Sequence, residues 1–566
     1  MRKKVLMLIL FSVGILSLFS CSKEDNKESA KLPVIVLDVP NFTYNVKVGK
    51  MLTISPTYEN AENATFVWSE KGKVISTKRE LTYSWDEIGA KYISLVVKNA
   101  VGEKAIEIKV NVMQQVPPVI NYIAPQEGLK VMKGVGFEFT PLVENDDEAS
   151  YEWYLNGAKV STSKNYTFTS DSEGLYTIKF VVTTEDGSDE FEFTVTVCKA
   201  EDIPFNWDFE KDIYYLSTGR SVNVRIRNVQ NDFDANYTFT LNGTEVKSGK
   251  ELFYVFDKKE QGEYTLLITM KNQYTTLTKN IKIVVCPAEG TYKRAATSAS
   301  NVRLNKVYEF LAAPGQFVNE GYTANTMEEA ISYAESRIID GGGNTYLSLG
   351  AWGGSVVVGF DHSIDNDGDY NFQIKGNSFN GSSEPGVVWV MQDENGDGLP
   401  NDTWFELKGS AYDKSNRDYF VTYYKPSAPK MAVQWTDSEG NSGTVDYLAS
   451  FHKQDYYYPN WVTTPSYTIY GTKLPAQTSQ DGSGLWFNGS LEWGYADNFS
   501  SVDRIIPTET TINHFRISNA ITWDGKPANL QYIDFIKVQT GVNAKAGILG
   551  ENSTEVLDFN DYNLIK

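Results

Sequence analysis

Apolar and polar residues alternate with a period of two along most of this chain, as in the run from Tyr176 to Val182. That period predicts strands with one buried face. Three such runs end alike, at 108–118, 193–204 and 281–287. Aligning them puts Met113, Cys198 and Cys286 at one position, 85 and then 88 residues apart. Upstream, Trp68, Trp153 and Phe239 each stand four residues before a turn glycine, Gly72, Gly157 and Gly243. Further on, Gly89, Gly174 and Gly262 precede Tyr92, Tyr176 and Tyr264. Short strands punctuated by Gly and Asn at this spacing predict three antiparallel sandwiches, over 34–115, 116–200 and 201–288. No residue of chemical interest recurs among them, so they read as a spacer.

The pattern changes after 288. One helix is predicted at 327–337, from the capping box Thr326/Glu329 and the stripe Met327, Ala330, Ile331 and Ala334. Strands are predicted at 346–360, 387–391, 419–424, 467–470 and 532–538, with a turn at Glu384-Pro385-Gly386. The fold class expected is all-β: tandem sandwiches followed by a larger jelly-roll-like sandwich over 289–566. The repeats resemble PKD or immunoglobulin-like domains of bacterial surface proteins.

The N-terminus reads as an address. Arg2, Lys3 and Lys4 precede an apolar run over 5–19 that is short for a membrane span. Ser20-Cys21 resembles a lipobox, which makes 1–20 a lipoprotein signal peptide and Cys21 the lipidated residue. The polar stretch 21–33 is expected to be a flexible acidic tether. Its acidic tract resembles the surface-export signal of Bacteroidetes lipoproteins, which implies an outer-membrane anchor facing the cell exterior.

Composition narrows the function. With 52 basic and 72 acidic residues the net charge is −20, which argues against nucleic acid. Only three His and three Cys are present. A multi-His metal site and a disulfide scaffold are therefore not expected, and Cys198 and Cys286 read as buried free thiols. No serine-hydrolase elbow, zinc-protease helix or phosphate loop occurs, and the chain reads as a non-enzyme.

Two acidic loops suggest a hard cation. One carries Asp365, Asp367 and Asp369; the other carries Asp393, Asn395, Asp397 and Asp402. The spacing Asp-x-Asn-x-Asp-Gly resembles the start of an EF-hand loop, although position twelve is Trp404. Calcium there would stiffen loops rather than do chemistry. Aromatic residues reach 13 %, and residues 290–566 hold 8 of the 12 Trp and 19 of the 34 Tyr. Trp352, His452, Tyr456, Tyr457, Tyr458, Trp461, Trp486, Trp493 and Asn498 are the candidate ligand contacts. Aromatic faces beside amides suit a large, flat, partly polar ligand, either a sugar chain or a corrinoid.

The stretches 307–320, 357–364, 385–398, 454–461 and 532–543 resemble a family of Bacteroidetes surface lipoproteins with PKD-like repeats. Some of that family resemble the vitamin B12-binding lipoproteins of BtuH type. The resemblance implies capture of cobamides for uptake, with a TonB-dependent outer-membrane transporter and companion surface lipoproteins as partners. A glycan-binding protein of a polysaccharide-uptake system and an adhesin are the alternatives.

Overall fold

The computed structural model describes residues 31–566 except 40–41, 116, 122–127, 204, 258, 427, 482–483 and 507. Cys21, the signal peptide and most of the tether lie outside the described residues. The chain is all-β, with one α-helix among the described residues. It divides into two compact units, one of Met1–Pro117 with Glu185–Gly187 and one of Pro118–Thr184 with Ser188–Lys566.

In the first unit a five-stranded sheet runs in the order Thr43–Lys47, Glu103–Met113, Gly89–Lys98, Thr65–Glu70, Lys73–Ser76. Its first pair is parallel and the others are antiparallel. The pair Leu52–Ile54 and Leu81–Tyr83 contributes Ile54 and Leu81 to a core with Trp68, Leu95 and Ile108.

The second unit repeats this order twice. One sheet pairs Leu129–Met132 in parallel with Gly187–Cys198; the other pairs Ile213–Ser217 in parallel with Thr276–Cys286. Trp153 and Phe239 occupy the place of Trp68, and all three are buried. The turn glycines close two-residue hairpins, as in Leu155↔Ala158. Lys71-Gly72, Asn156-Gly157 and Asn242-Gly243 all have φ between 46° and 84°. Two successive left-handed residues make a type I′ turn, whose twist matches the flanking strands. Cys198 and Cys286 are buried free thiols as expected. Met113, at the equivalent place, is 42 % exposed.

The C-terminal domain is built on a six-stranded antiparallel sheet. Its order is Lys306–Leu311, Ser355–Asp365, Tyr532–Thr540, Gly386–Met391, Trp404–Leu407, Ala520–Ile521. Alternate residues of Gly386–Met391 enter different cores. Val388 and Val390 join Ile536 and Val538 against Phe372, Ile374 and Phe515 of a three-stranded sheet. Val387 and Trp389 pack with Leu474, Leu491 and Tyr495 on the other face. Cover on both faces explains why this strand is a continuous apolar run.

A four-stranded sheet of Ser442–Val445, Val433–Asp437, Asn416–Tyr424 and Ser466–Lys473 forms a further layer. The helix Met327–Ile338 begins with the expected cap, Thr326 Oγ1 accepting from Glu329 N at 3.2 Å. It buries Ala330, Ala334 and Ile338, while Met327 of the predicted stripe is exposed.

The third sandwich is tied to the C-terminal domain by named contacts. Ser217 N donates to Glu394 Oε1 at 2.8 Å. Thr403 Oγ1 donates to Tyr215 O at 2.9 Å. Lys211 Nζ donates to the carbonyls of Asn401, at 2.8 Å, and Asp402. Arg220 pairs with Glu289 at 2.6 Å.

Candidate functional site

The nine residues expected to contact a ligand do not form one site. Trp352, Tyr457, Tyr458, Trp461 and Asn498 are interior, which corrects the expectation that they face a ligand. Trp352, Tyr457 and Tyr458 fill the core under the four-stranded sheet, and Trp461 belongs to the main core. The two tyrosine hydroxyls are satisfied internally: the Tyr457 hydroxyl bonds His452 O and Leu448 N, and Tyr458 donates to Thr464 O at 2.9 Å. The indole N–H groups of Trp352 and Trp461 are buried without a partner. The Asn498 amide bridges the backbone N and O of Leu491, both at 2.8 Å. Tyr456 and His452 are half-buried. His452 Nδ1 lies 2.9 Å from Glu320, with its ring edge-on to Phe317 at 4.9 Å. Trp486 and Trp493 line separate hollows, of about 380 Å³ and 240 Å³.

The acidic loops also differ from expectation. In the first, each carboxylate meets a different cation: Asp365 pairs with Lys293 at 2.5 Å, Asp367 with Lys566 at 2.6 Å and Asp369 with Arg516 at 3.2 Å. In the second, Asp393 accepts from the backbone N–H of Gly396 and Gly398. Asp397 accepts from Leu399 N and from the Asn395 and Asn401 amides. Asp402 turns inward to Glu394 N, and burial pushes its carboxyl up to about 8. These oxygens hold a turn together instead of converging on a point. The loop is the joint that meets the third sandwich through Glu394, Asn401, Asp402 and Thr403.

The acids that do converge among the described residues are Glu384, Asp497 and Glu555, with one oxygen of each within 4.8 Å of the others. They come from the predicted turn, an aromatic-rich loop and a short strand. Asp497 accepts from the N–H groups of Asn377, Ser378 and Glu555, each at 2.9 Å. Burial pushes Glu384 to about 8, Asp497 to about 7 and Glu555 well above the carboxylate range. At neutral pH the Glu384–Glu555 pair therefore keeps a proton between its two carboxyls.

A groove of about 670 Å³ lies between the third sandwich and the four-stranded sheet. Period-two alternation builds both walls. In Asn416–Tyr424, Tyr419, Val421 and Tyr423 point into the core, so Asp418, Phe420, Thr422 and Tyr424 line the groove. The neighbouring strand presents Ser466, Thr468 and Tyr470 in register, Phe420 opposite Tyr470 and Thr422 opposite Thr468. The Phe420 and Tyr470 rings are 5.2 Å apart. On the opposite wall Val222, Val224 and Ile226 are buried in the sandwich, which turns Arg225 and Arg227 toward the groove.

Both arginines are stacked and paired. Arg227 lies 3.9 Å over the Tyr470 ring and Arg225 4.4 Å over Trp523. Each approaches Asp418, at 3.2 and 3.3 Å, and Glu210, at 3.6 and 3.3 Å. Burial alone would raise the Glu210 carboxyl, but Arg225, Arg227 and Lys211 hold it at about 2. The strand reading found Tyr419–Tyr424 and Tyr467–Tyr470 but missed this wall. The available signal was Val222-Asn-Val-Arg-Ile-Arg227, a strand with two arginines on its outward face.

A PKD-like domain model matches residues 32–99 and again 117–184. The first two repeats are PKD-like domains. The third has their strand order. No curated protein matches the chain. Similar solved structures include the I-band fragment I67–I69 from titin, with 14 % identity, covering 45 % of this chain and 98 % of that one, at a TM-score of 0.21. The three N-terminal domains of the bacteriophage RB49 outer capsid protein Hoc match at 14 % over 45 % and 98 %, with a TM-score of 0.23. The fibronectin(III)-like modules of Clostridium thermocellum CbhA match at 15 % over 32 % and 100 %, with a TM-score of 0.17. Among the described residues no helix is long and apolar enough to cross a membrane.

Proposed function

We propose that this protein is a non-catalytic binder, anchored to the outer membrane through Cys21, that captures a cobamide in the groove between its third sandwich and its four-stranded sheet. The observation that carries this reading is the groove itself. It presents half-buried rings, Phe253, Phe420, Tyr424 and Tyr470, among hydroxyls and amides. Flat rings supply stacking area, and Thr422, Thr468 and Asn228 supply hydrogen-bond partners for a macrocycle with amide arms. The resemblance of the C-terminal half to vitamin B12-binding lipoproteins supports the same ligand class. The first two sandwiches act as a spacer, and delivery passes to a TonB-dependent transporter.

An oligosaccharide is the second reading, favoured by the paired hydroxyls of Thr422 and Thr468, 2.7 Å apart beside the rings. Calorimetric titration of the purified protein with cyanocobalamin and with mixed oligosaccharides separates the two. Heat with cyanocobalamin, weakened about tenfold in Phe420→Ala, supports the proposal. Heat with oligosaccharides alone overturns it in favour of the second reading.

A further inference from the structure

At its inner end the groove meets a narrower cleft of about 110 Å³, to which Arg225, Arg227 and Tyr470 also belong. Five cations line that cleft: Lys211, Arg225, Arg227, Arg417 and Lys537. Three acids line it with them, and a fourth, Asp418, reaches Arg227 and Arg225 from the groove side at 3.2 and 3.3 Å. Glu406 is taken by Arg417 at 3.0 Å and by the Thr472 hydroxyl at 2.8 Å. Glu210 is shared by Arg225 and Arg227. Asp402 keeps its proton at neutral pH because burial raises its carboxyl to about 8. Positive charge is left over.

The donors tell the same story. Arg227 is 6 % exposed, yet its Nε and Nη2 make no hydrogen bond. Arg225 Nε, Tyr214 Oη and Trp389 Nε1 are likewise buried without a partner, and all of these residues line the cleft. Lys537 rises from the central strand between Trp389 and Trp404, its ammonium 5.0 and 4.8 Å from their ring centres. It forms no ion pair among the described residues, and burial draws it down to about 8. The same lining leaves the acceptors Asn223 Oδ1, Gln539 Oε1 and Asp402 Oδ1 without a partner, but its unmatched donors, with Asn223 Nδ2, outnumber them. Native interiors rarely leave donors unmatched, and a cluster of them on one small cavity marks a place built for an acceptor.

We infer that this cleft binds an anionic oxygen group, a phosphate or phosphodiester, and so anchors the charged part of a ligand whose flat part lies in the groove. The link to the groove ligand rests on the function proposed above; the anion site does not. A cobamide carries such a phosphodiester in its nucleotide loop, whereas cobinamide lacks it.

The test uses the purified full chain and two variants. Inorganic phosphate is titrated at constant ionic strength, with melting temperature as the readout. A saturable rise is expected in the wild type and in Phe420→Ala, and no rise in Lys537→Met. Because Lys537 has no ion-pair partner among the described residues, Lys537→Met is expected to melt no lower than the wild type in the absence of phosphate, which guards against a folding defect. A wild type that ignores phosphate, or a Lys537→Met variant that responds equally, overturns the anion site. Cyanocobalamin and cobinamide are then compared by calorimetry. Cyanocobalamin binding about tenfold tighter than cobinamide, with the gap closed in Lys537→Met, supports the assignment. Phosphate binding without corrinoid binding keeps the anion site and removes the cobamide. Equal binding of both corrinoids without a phosphate response keeps the cobamide and removes the anion site.

Discussion

Two tyrosine-rich regions of the C-terminal domain look alike in composition and end in opposite places. At 456–461 three consecutive tyrosines are followed by Pro459 and Trp461, in a segment without regular strand structure. Tyr457, Tyr458 and Trp461 fill the interior, and the tyrosine hydroxyls are satisfied by nearby backbone. In Asn416–Tyr424 and Ser466–Lys473 the backbone is extended and paired, so side chains sort to two faces. One face, with Tyr419 and Tyr423, is core; the other, with Phe420, Tyr424 and Tyr470, borders the groove. Density of aromatic residues therefore does not mark a binding surface here. A strand that divides them between an inside and an outside leaves part of them facing the groove.

Mutation separates the two regions most sharply. Tyr458→Ala empties a fully buried site and is expected to cost about 3–5 kcal/mol in the unfolding transition of the C-terminal domain. Phe420→Ala, by the same denaturant measurement, is expected to cost less than about 1 kcal/mol. Equal losses would erase the distinction between filling and facing.

The acid cluster gives the next effect. Glu384, Asp497 and Glu555 have folded pKa values raised above the unfolded ones, mainly by burial. The folded state then holds more protons than the unfolded state between about pH 4 and pH 8. As far as these groups decide it, stability is thus expected to be fully present at and below about pH 4, to fall as pH rises from there, and to level off once pH passes about 8. The fall is at least about 1.4 kcal/mol, one pKa unit's worth. Glu555→Gln should flatten this slope in denaturant melts at pH 5, 7 and 9. An unchanged slope would mean that the cluster is solvated.

A smaller effect is expected at the joint loop. Asp393→Ala removes the acceptor of two backbone N–H groups and should cost about 1–3 kcal/mol. Added calcium should leave the melting temperature of the wild type unchanged. A calcium-dependent rise would show that the carboxylates can regroup around a cation.

Period-two alternation, the 85- and 88-residue repeat and the turn glycines made the sandwiches legible, because each is a local demand of strand and hairpin geometry. The Thr326 cap and the helix behind it were legible for the same reason. The acidic loops were not legible, because an Asx turn and a cation loop need the same residues at the same spacing. Only the direction in which Asp393 and Asp397 turn their oxygens tells them apart.

What the sequence by itself determined is where strands, turns and the helix lie and which parity of residues each strand can bury. Tertiary structure alone decided which tyrosines became core. It also brought Arg225 and Arg227 of one sandwich against Tyr470 of another sheet, more than 240 positions away, and gathered Glu384, Asp497 and Glu555. Local geometry acts over a few residues and leaves a periodic trace; a groove or a charge cluster is set by which surfaces meet, and that meeting has no period to read.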